Sequence, residues 1–299
     1  MTNRSESAAA APSSLELPFG MSPCPNDTFA FWAALHDRVQ EPGVRLVAGA
    51  MEDIEALNRR ALAGGAGGLA VTKLSLPALA ARADRYAVLS AGAALGFGCG
   101  PLLVRRAADD ALGTPADLRG RRVAVPGRNT TAFLLCNLLA QRDCEFVTMP
   151  FEQVMPAVAR GDCDAGAIIH ESRFTYRDHG LLPICDLGEL WERATGGPLP
   201  LGVIAARREL GRDVHERLGA LLRESVRLAR RHPEWPREFV RRHARELDDE
   251  VQRRHIALYV NDFTEDLGPA GRAAIDVLLQ RGRAAGLLAE GPSPWWEAA

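Results

Sequence analysis

Residues 122–141 read RVAVPGRNTTAFLLCNLLAQ. A short β-branched run gives way to a Pro-Gly turn, and an apolar stretch then opens on two threonines. The spacing predicts a strand over Val123 to Pro126, a loop at Gly127-Arg128-Asn129, and a helix from Thr130 to about Gln141. Downstream, Glu145 to Met149 reads as a strand, Phe151 to Arg160 as a helix, and Asp164 to Ile169 as a strand that is apolar from Ala165 on and ends in His170. Continuous apolar strands alternating with helices belong to parallel sheets covered on both faces. The stretch therefore sets the class as α/β.

Upstream, the same alternation predicts strands at Leu15 to Met21, Val44 to Ala48, Leu69 to Thr72, Tyr86 to Ala91 and Leu102 to Arg105. A helix carrying Phe29, Phe31, Trp32 and Leu35 is expected to be capped by Asn26 or Asp27, and another covers Asp53 to Leu62. Beyond a strand at Leu201 to Ala205 the pattern turns helical. There Val214, Leu218, Leu221, Leu222 and Ser225 share one face, and later helices cover about Asp248 to Tyr259 and Pro269 to Ala285. The chain crosses between halves near Leu102 and near Leu201. This predicts a two-lobed fold: residues 15–104 plus 203–299 form one lobe, residues 105–202 an inserted second lobe, and a ligand cleft lies between them. Residues 1–14 are expected to be a disordered extension.

The 299 residues are 47% hydrophobic and 25% charged, with a formal net charge of -2. That balance supplies a sizeable core but no basic field for nucleic acid or anionic membrane. No apolar run approaches the roughly 18 residues of a membrane span. The six cysteines are scattered, without a CxxC pair or zinc-ligand spacing, so free thiols in a reducing cytoplasm and no metal site are expected. Of 36 basic residues, only Lys73 is lysine. A lone ammonium among 35 guanidinium groups marks a position where a compact charge on a flexible stem is required, or a chance survivor.

Ligands of open α/β sheets sit where strands hand over to helices. Four such junctions are polar: Ser22 to Thr28, Thr72 to Ser75, Gly127 to Thr131 and His170 to Arg173. Thr130 and Thr131 add hydroxyls to a helix start, in a segment that lacks the glycines of a phosphate loop. His215, His232, His243 and His255 lie in Arg/Glu-rich helical stretches and are expected on solvated faces. His170 differs, because it ends a buried strand at a junction, where an imidazole serves as proton acceptor or simply as a strand-end hydrogen bonder. Cys24, between two prolines, reads as a packed small side chain rather than a nucleophile.

Four segments together resemble one family: Ser22-Pro23-Cys24-Pro25-Asn26-Asp27-Thr28-Phe29, Thr72-Lys73-Leu74-Ser75, Pro126-Gly127-Arg128-Asn129-Thr130-Thr131-Ala132, and Ile168-Ile169-His170-Glu171-Ser172-Arg173-Phe174-Thr175-Tyr176. The family is the 1,4-dihydroxy-6-naphthoate synthases of the futalosine route to menaquinone. Leu199-Pro200-Leu201-Gly202 and Tyr259-Val260-Asn261 extend the resemblance, which runs from about Leu15 to about Leu288. It implies a type-2 periplasmic-binding-protein-like fold. It also implies a carbon–carbon lyase that cleaves cyclic dehypoxanthinyl futalosine to 1,4-dihydroxy-6-naphthoate and a three-carbon fragment, with no metal or nucleotide cofactor. By motif match His170 is the proton acceptor, Lys73, Leu74 and Ser75 contact substrate from one lobe, and Thr130 and Thr131 from the other. Two positions depart from the pattern: Leu76 stands where an aromatic residue is expected, and Asn129 where His is expected.

The competing reading is a non-catalytic solute-binding protein for a small carboxylate, which normally carries an export signal or lipid anchor that Met1 to Ser14 does not resemble. A ligand-sensing transcription regulator would need an attached DNA-reading unit, for which the N-terminal extension is too short.

Overall fold

The computed structural model describes residues 14–65, 68–140, 142–245 and 248–296. The expected extension at residues 1–13 and the expected helix end at Gln141 lie outside the described residues. Eleven strands follow in chain order: β1 Leu15–Met21, β2 Val44–Met51, β3 Val71–Ser75, β4 Tyr86–Val88, β5 Ala94–Gly96, β6 Leu102–Arg106, β7 Arg122–Val125, β8 Glu145–Thr148, β9 Ala165–Ile168, β10 Leu181–Asp186 and β11 Leu199–Arg207.

They form two sheets. One has the order β2-β1-β3-β11-β4, with β5 also paired to β11; the other has the order β10-β6-β9-β7-β8. In the first, β1 runs parallel to both β2 and β3, while β11 is antiparallel to β3, β4 and β5. In the second, β7 is parallel to β8 and β9, and β6 is antiparallel to β9 and β10. The chain leaves the first sheet after β5 and returns to it at β11. One hydrophobic core joins Leu74, Tyr86 and Val203 of the first sheet to Leu103, Val123 and Val125 of the second. A second core lies under the helix Arg212–Arg231, and a third lies beside the helix Phe151–Arg160.

Several local expectations change. Lys73, Leu74 and Ser75 belong to β3 rather than to a junction beyond it, because all three continue the antiparallel pairing with β11 and all five residues of the strand are buried. Asn26 and Asp27 do not cap the first helix; Cys24 holds the N-cap position, and both residues lie inside Pro25–Ala30. The helix after β7 is α-helical only over Thr131–Leu135 and continues as a π-turn over Cys136–Ala140. His215 and His255 are buried rather than solvated, at 4% and 1% exposure. Each sits on the inward stripe of an otherwise Arg-rich helix.

Candidate active site

A cavity of about 590 Å³, counting its open mouth, is lined by strand residues of the first sheet and by the segments that follow β7 and β9 of the second. Lys73 and His170, 97 positions apart in sequence, both line it.

Lys73 is nearly fully buried, and its Nζ donates to Asp27 Oδ1 at 2.5 Å. A buried ion pair needs further bonds to compensate its desolvation. Asp27 receives them from Asn26 Nδ2 at 2.8 Å and from the Ser22 amide at 3.0 Å. The short helix Pro25–Ala30 therefore serves to hold a carboxylate under β3. Asn26 extends the chain further, with its Oδ1 3.0 Å from His255 Nε2 on the helix Asp249–Tyr259.

His170 follows β9 with φ at +57°, one of two non-glycine residues in the left-handed region among the described residues. That conformation costs about 1–2 kcal/mol for a residue with a Cβ. It turns the ring between Phe151, centroid to centroid 4.8 Å, and His255 at 6.4 Å. Nδ1 lies 3.3 Å from the Cys24 sulfur. Nε2 is buried without a hydrogen-bond partner among the described residues. Burial, then the positive charges of Lys73 and Arg245, push the imidazole down to about 3. Cys24 moves the other way: burial and the negative charge of Glu171 raise its thiol well above the ordinary range, against the opposing pull of Lys73. The pair is thus a neutral ring and a protonated thiol, which does not suit Cys24 as a nucleophile.

The remaining sequence-derived positions divide. Ser75, Thr130 and Thr131 line the cavity. The Leu74 side chain instead points into the shared core. Thr130 caps its helix, accepting from the Phe133 amide and donating to the Gly127 carbonyl at 2.7 Å. Thr131 donates to Leu201 O at 2.6 Å and accepts from the Leu76 amide, which ties the second sheet's helix to the first sheet. Both hydroxyl protons are therefore engaged by backbone carbonyls, leaving the oxygens as acceptors. A second tie crosses at Asn58, which brackets Ser75 and donates to Asn129 O. Asn129 Nδ2 donates in turn to Glu55 Oε1 at 2.8 Å, and burial raises that carboxyl. Gly127 is required beside it, because its φ is +149° and a Cβ there would overlap the Glu55 carboxyl.

Sequence reasoning missed His255, Tyr259 and the contact between Cys24 and His170. Tyr259 lines the cavity and donates from its hydroxyl to Cys99 O. A signal for the first two was present: Gln252, His255 and Tyr259 repeat at helical spacing and are all buried. Cys24, His170 and Glu171 also group three potential ligand atoms within 4.8 Å. A cation there would have to strip a proton from a strongly raised thiol beside Lys73, so the electrostatics disfavour it.

The menaquinone-biosynthesis family model matches residues 17–284. A 1,4-dihydroxy-6-naphtoate synthase of Thermus thermophilus is 48% identical over 93% of this chain and 98% of its own. Among solved structures, a protein from Archaeoglobus fulgidus is 37% identical, with a TM-score of 0.82 over 91% of this chain and 98% of that one. The alkanesulfonate-binding protein of Xanthomonas axonopodis pv. citri superposes with a TM-score of 0.68 over 94% of this chain and 96% of that one. At 19% identity that likeness establishes the periplasmic-binding-protein-like fold and nothing of its ligand. No helix among the described residues is long and apolar enough to cross a membrane. With four-fifths and more of its length matched, and with Asn26, Lys73, Ser75, Thr130, Thr131 and His170 of its cleft in the segments that suggested the resemblance, the chain belongs to the menaquinone-biosynthesis family.

Proposed function

We propose that this chain is a cytoplasmic carbon–carbon lyase that converts cyclic dehypoxanthinyl futalosine to 1,4-dihydroxy-6-naphthoate and a three-carbon fragment. In this reading His170 is the general base. The observation that carries it is the partnerless Nε2 of His170, on a ring shared by the cavity with the Lys73 ammonium. When Nδ1–H donates to the Cys24 sulfur, Nε2 holds the lone pair that takes a proton from an acidic C–H of the substrate. The imidazolium so formed is unfavourable in this setting. It is stabilised by the negative charge left on the substrate, which couples proton transfer to bond cleavage. Aromatisation of the naphthoate then drives the later step.

Lys73 supplies positive charge for a substrate carboxylate or a developing oxyanion. Ser75, Thr130 and Thr131 shape the cavity, and Leu74 supports Lys73 through its place in the core. Residues 15–104 with 203–299, and residues 105–202, act as the two lobes that close over the substrate and exclude water. The test is incubation of purified protein with the cyclic futalosine derivative and detection of the naphthoate by mass spectrometry. Product that requires His170 supports the reading. A bound but unchanged ligand would instead favour a solute-binding role.

A further inference from the structure

The polar chain on the first sheet fixes a hydrogen position that the proposed reaction does not use. Asp27 is an acceptor, and its Oδ1 takes bonds from both Lys73 Nζ and Asn26 Nδ2. The Asn26 amide is therefore oriented with its NH₂ toward Asp27 and its carbonyl oxygen toward His255 Nε2. A carbonyl oxygen only accepts, so the hydrogen of that 3.0 Å contact belongs to Nε2. Burial, the facing His170 ring and Lys73 hold His255 far below its ordinary range, so it carries one proton and not two. Nδ1 is consequently a bare lone pair.

That lone pair is buried and has no hydrogen-bond partner among the described residues, on a residue that is 1% exposed and lines the cavity. A buried acceptor without a donor is costly, and the donor can come from whatever enters the cavity. The neighbours offer none: Phe174 and Tyr259 meet the ring through their aromatic faces and edges, and the Tyr259 hydroxyl is engaged with Cys99 O. A carboxylate cannot satisfy Nδ1, since it too only accepts. A cation is disfavoured by the Lys73 ammonium nearby. A neutral hydroxyl fits.

We propose that His255 Nδ1 accepts a hydrogen bond from a hydroxyl group of the substrate, making His255 a specificity determinant for hydroxylated over deoxygenated guests. The inference deepens the proposed function and rests on it for the identity of the substrate. In this arrangement Lys73 meets the anionic part of the guest and His255 an uncharged donor, while His170 is left for chemistry.

The experiment has two independent arms. In protein carrying ¹⁵N-labelled histidine, the ligand-free His255 ring is expected as the Nε2–H tautomer; the Nδ1–H tautomer overturns the inference whatever the reaction is. On adding 1,4-dihydroxy-6-naphthoate, the Nδ1 resonance is expected to move upfield. The naphthoate lacking both hydroxyls should leave it in place, and equal shifts with both overturn the inference. In the second arm, His255→Gln retains an NH₂ donor for Asn26 but removes the acceptor from the Nδ1 position, leaving only an amide oxygen on a longer, unfixed side chain. It is expected to lose about 10- to 100-fold in kcat/KM at wild-type Tm, and unchanged kcat/KM overturns the inference. Should that variant not fold, the wild-type resonances still decide. Lack of turnover by the wild-type protein itself would count against the proposed function, and the ring tautomer would remain a test of this inference alone.

Discussion

The two walls of the cavity are built on different principles. On the side of the first sheet, Lys73, Asp27, Asn26 and His255 form an unbroken hydrogen-bonded chain in which the direction of each bond can be assigned. On the second, His170 stands in a left-handed conformation with one ring nitrogen on a thiol and the other on no protein group, and the two threonines beside it are occupied with backbone. The first wall is a scaffold of fixed charge; the second holds a strained, under-partnered imidazole. Damage to the first should therefore appear mainly as lost stability and binding, and damage to the second as lost turnover.

The sharpest break is His170→Asn. Asparagine tolerates the left-handed backbone, so the variant is expected to fold, while kcat falls about 10²- to 10⁴-fold. Near-normal steady-state turnover of a folded variant would remove the distinction between the walls. Next comes Lys73→Met, which leaves the Asp27 carboxylate buried without its cation and should cost about 3–5 kcal/mol in urea unfolding. Adding Asp27→Asn to that variant should recover part of the loss, because the two residues act as one unit.

A smaller effect concerns acid. The folded His170 ring titrates near 3, against an unfolded value of 6.5, and His255 is shifted in the same direction. Between those values the unfolded chain binds protons that the folded chain refuses. The contribution of these two histidines to stability is therefore flat above about pH 6.5 and falls as pH drops toward 3. From about pH 7 to about pH 5 the loss from His170 should be about 2 kcal/mol, with His255 adding to it in the same direction. Denaturant midpoints at the two pH values, compared between wild type and His170→Asn, measure it. Smallest is Asn129→Ala, which removes the bond to Glu55 and is expected to cost about 1 kcal/mol, with kcat/KM changed less than in any variant above.

Much of this molecule was legible in the sequence where local rules suffice. Leu15 to Met21 and Phe151 to Arg160 are found with the boundaries their patterns predict, since strand alternation and helical period are carried by near neighbours. The singular lysine and the histidine closing β9 stood out for similarly local reasons. β10 escaped notice because Pro183 interrupts it, which an edge strand tolerates and a sequence pattern does not reveal. His255 was hidden more deeply. Its helix is rich in charge, and its burial depends on the Pro25–Ala30 helix packing against it, with a hydrogen-bond partner 229 positions away. Its spacing with Gln252 and Tyr259 marks the inward stripe, but nothing in a window of neighbouring residues says that Asn26 is what it meets.

The singular lysine has a practical corollary. A protease that cuts only after lysine finds one target in this sequence, and that peptide bond lies in the middle of a fully buried strand, paired there with β11. Digestion should yield two fragments or none, at a rate set by how often β3 opens rather than by surface fraying. Amine-directed labels face the same barrier, so their uptake at Lys73 reports the unfastening of the cleft's innermost strand.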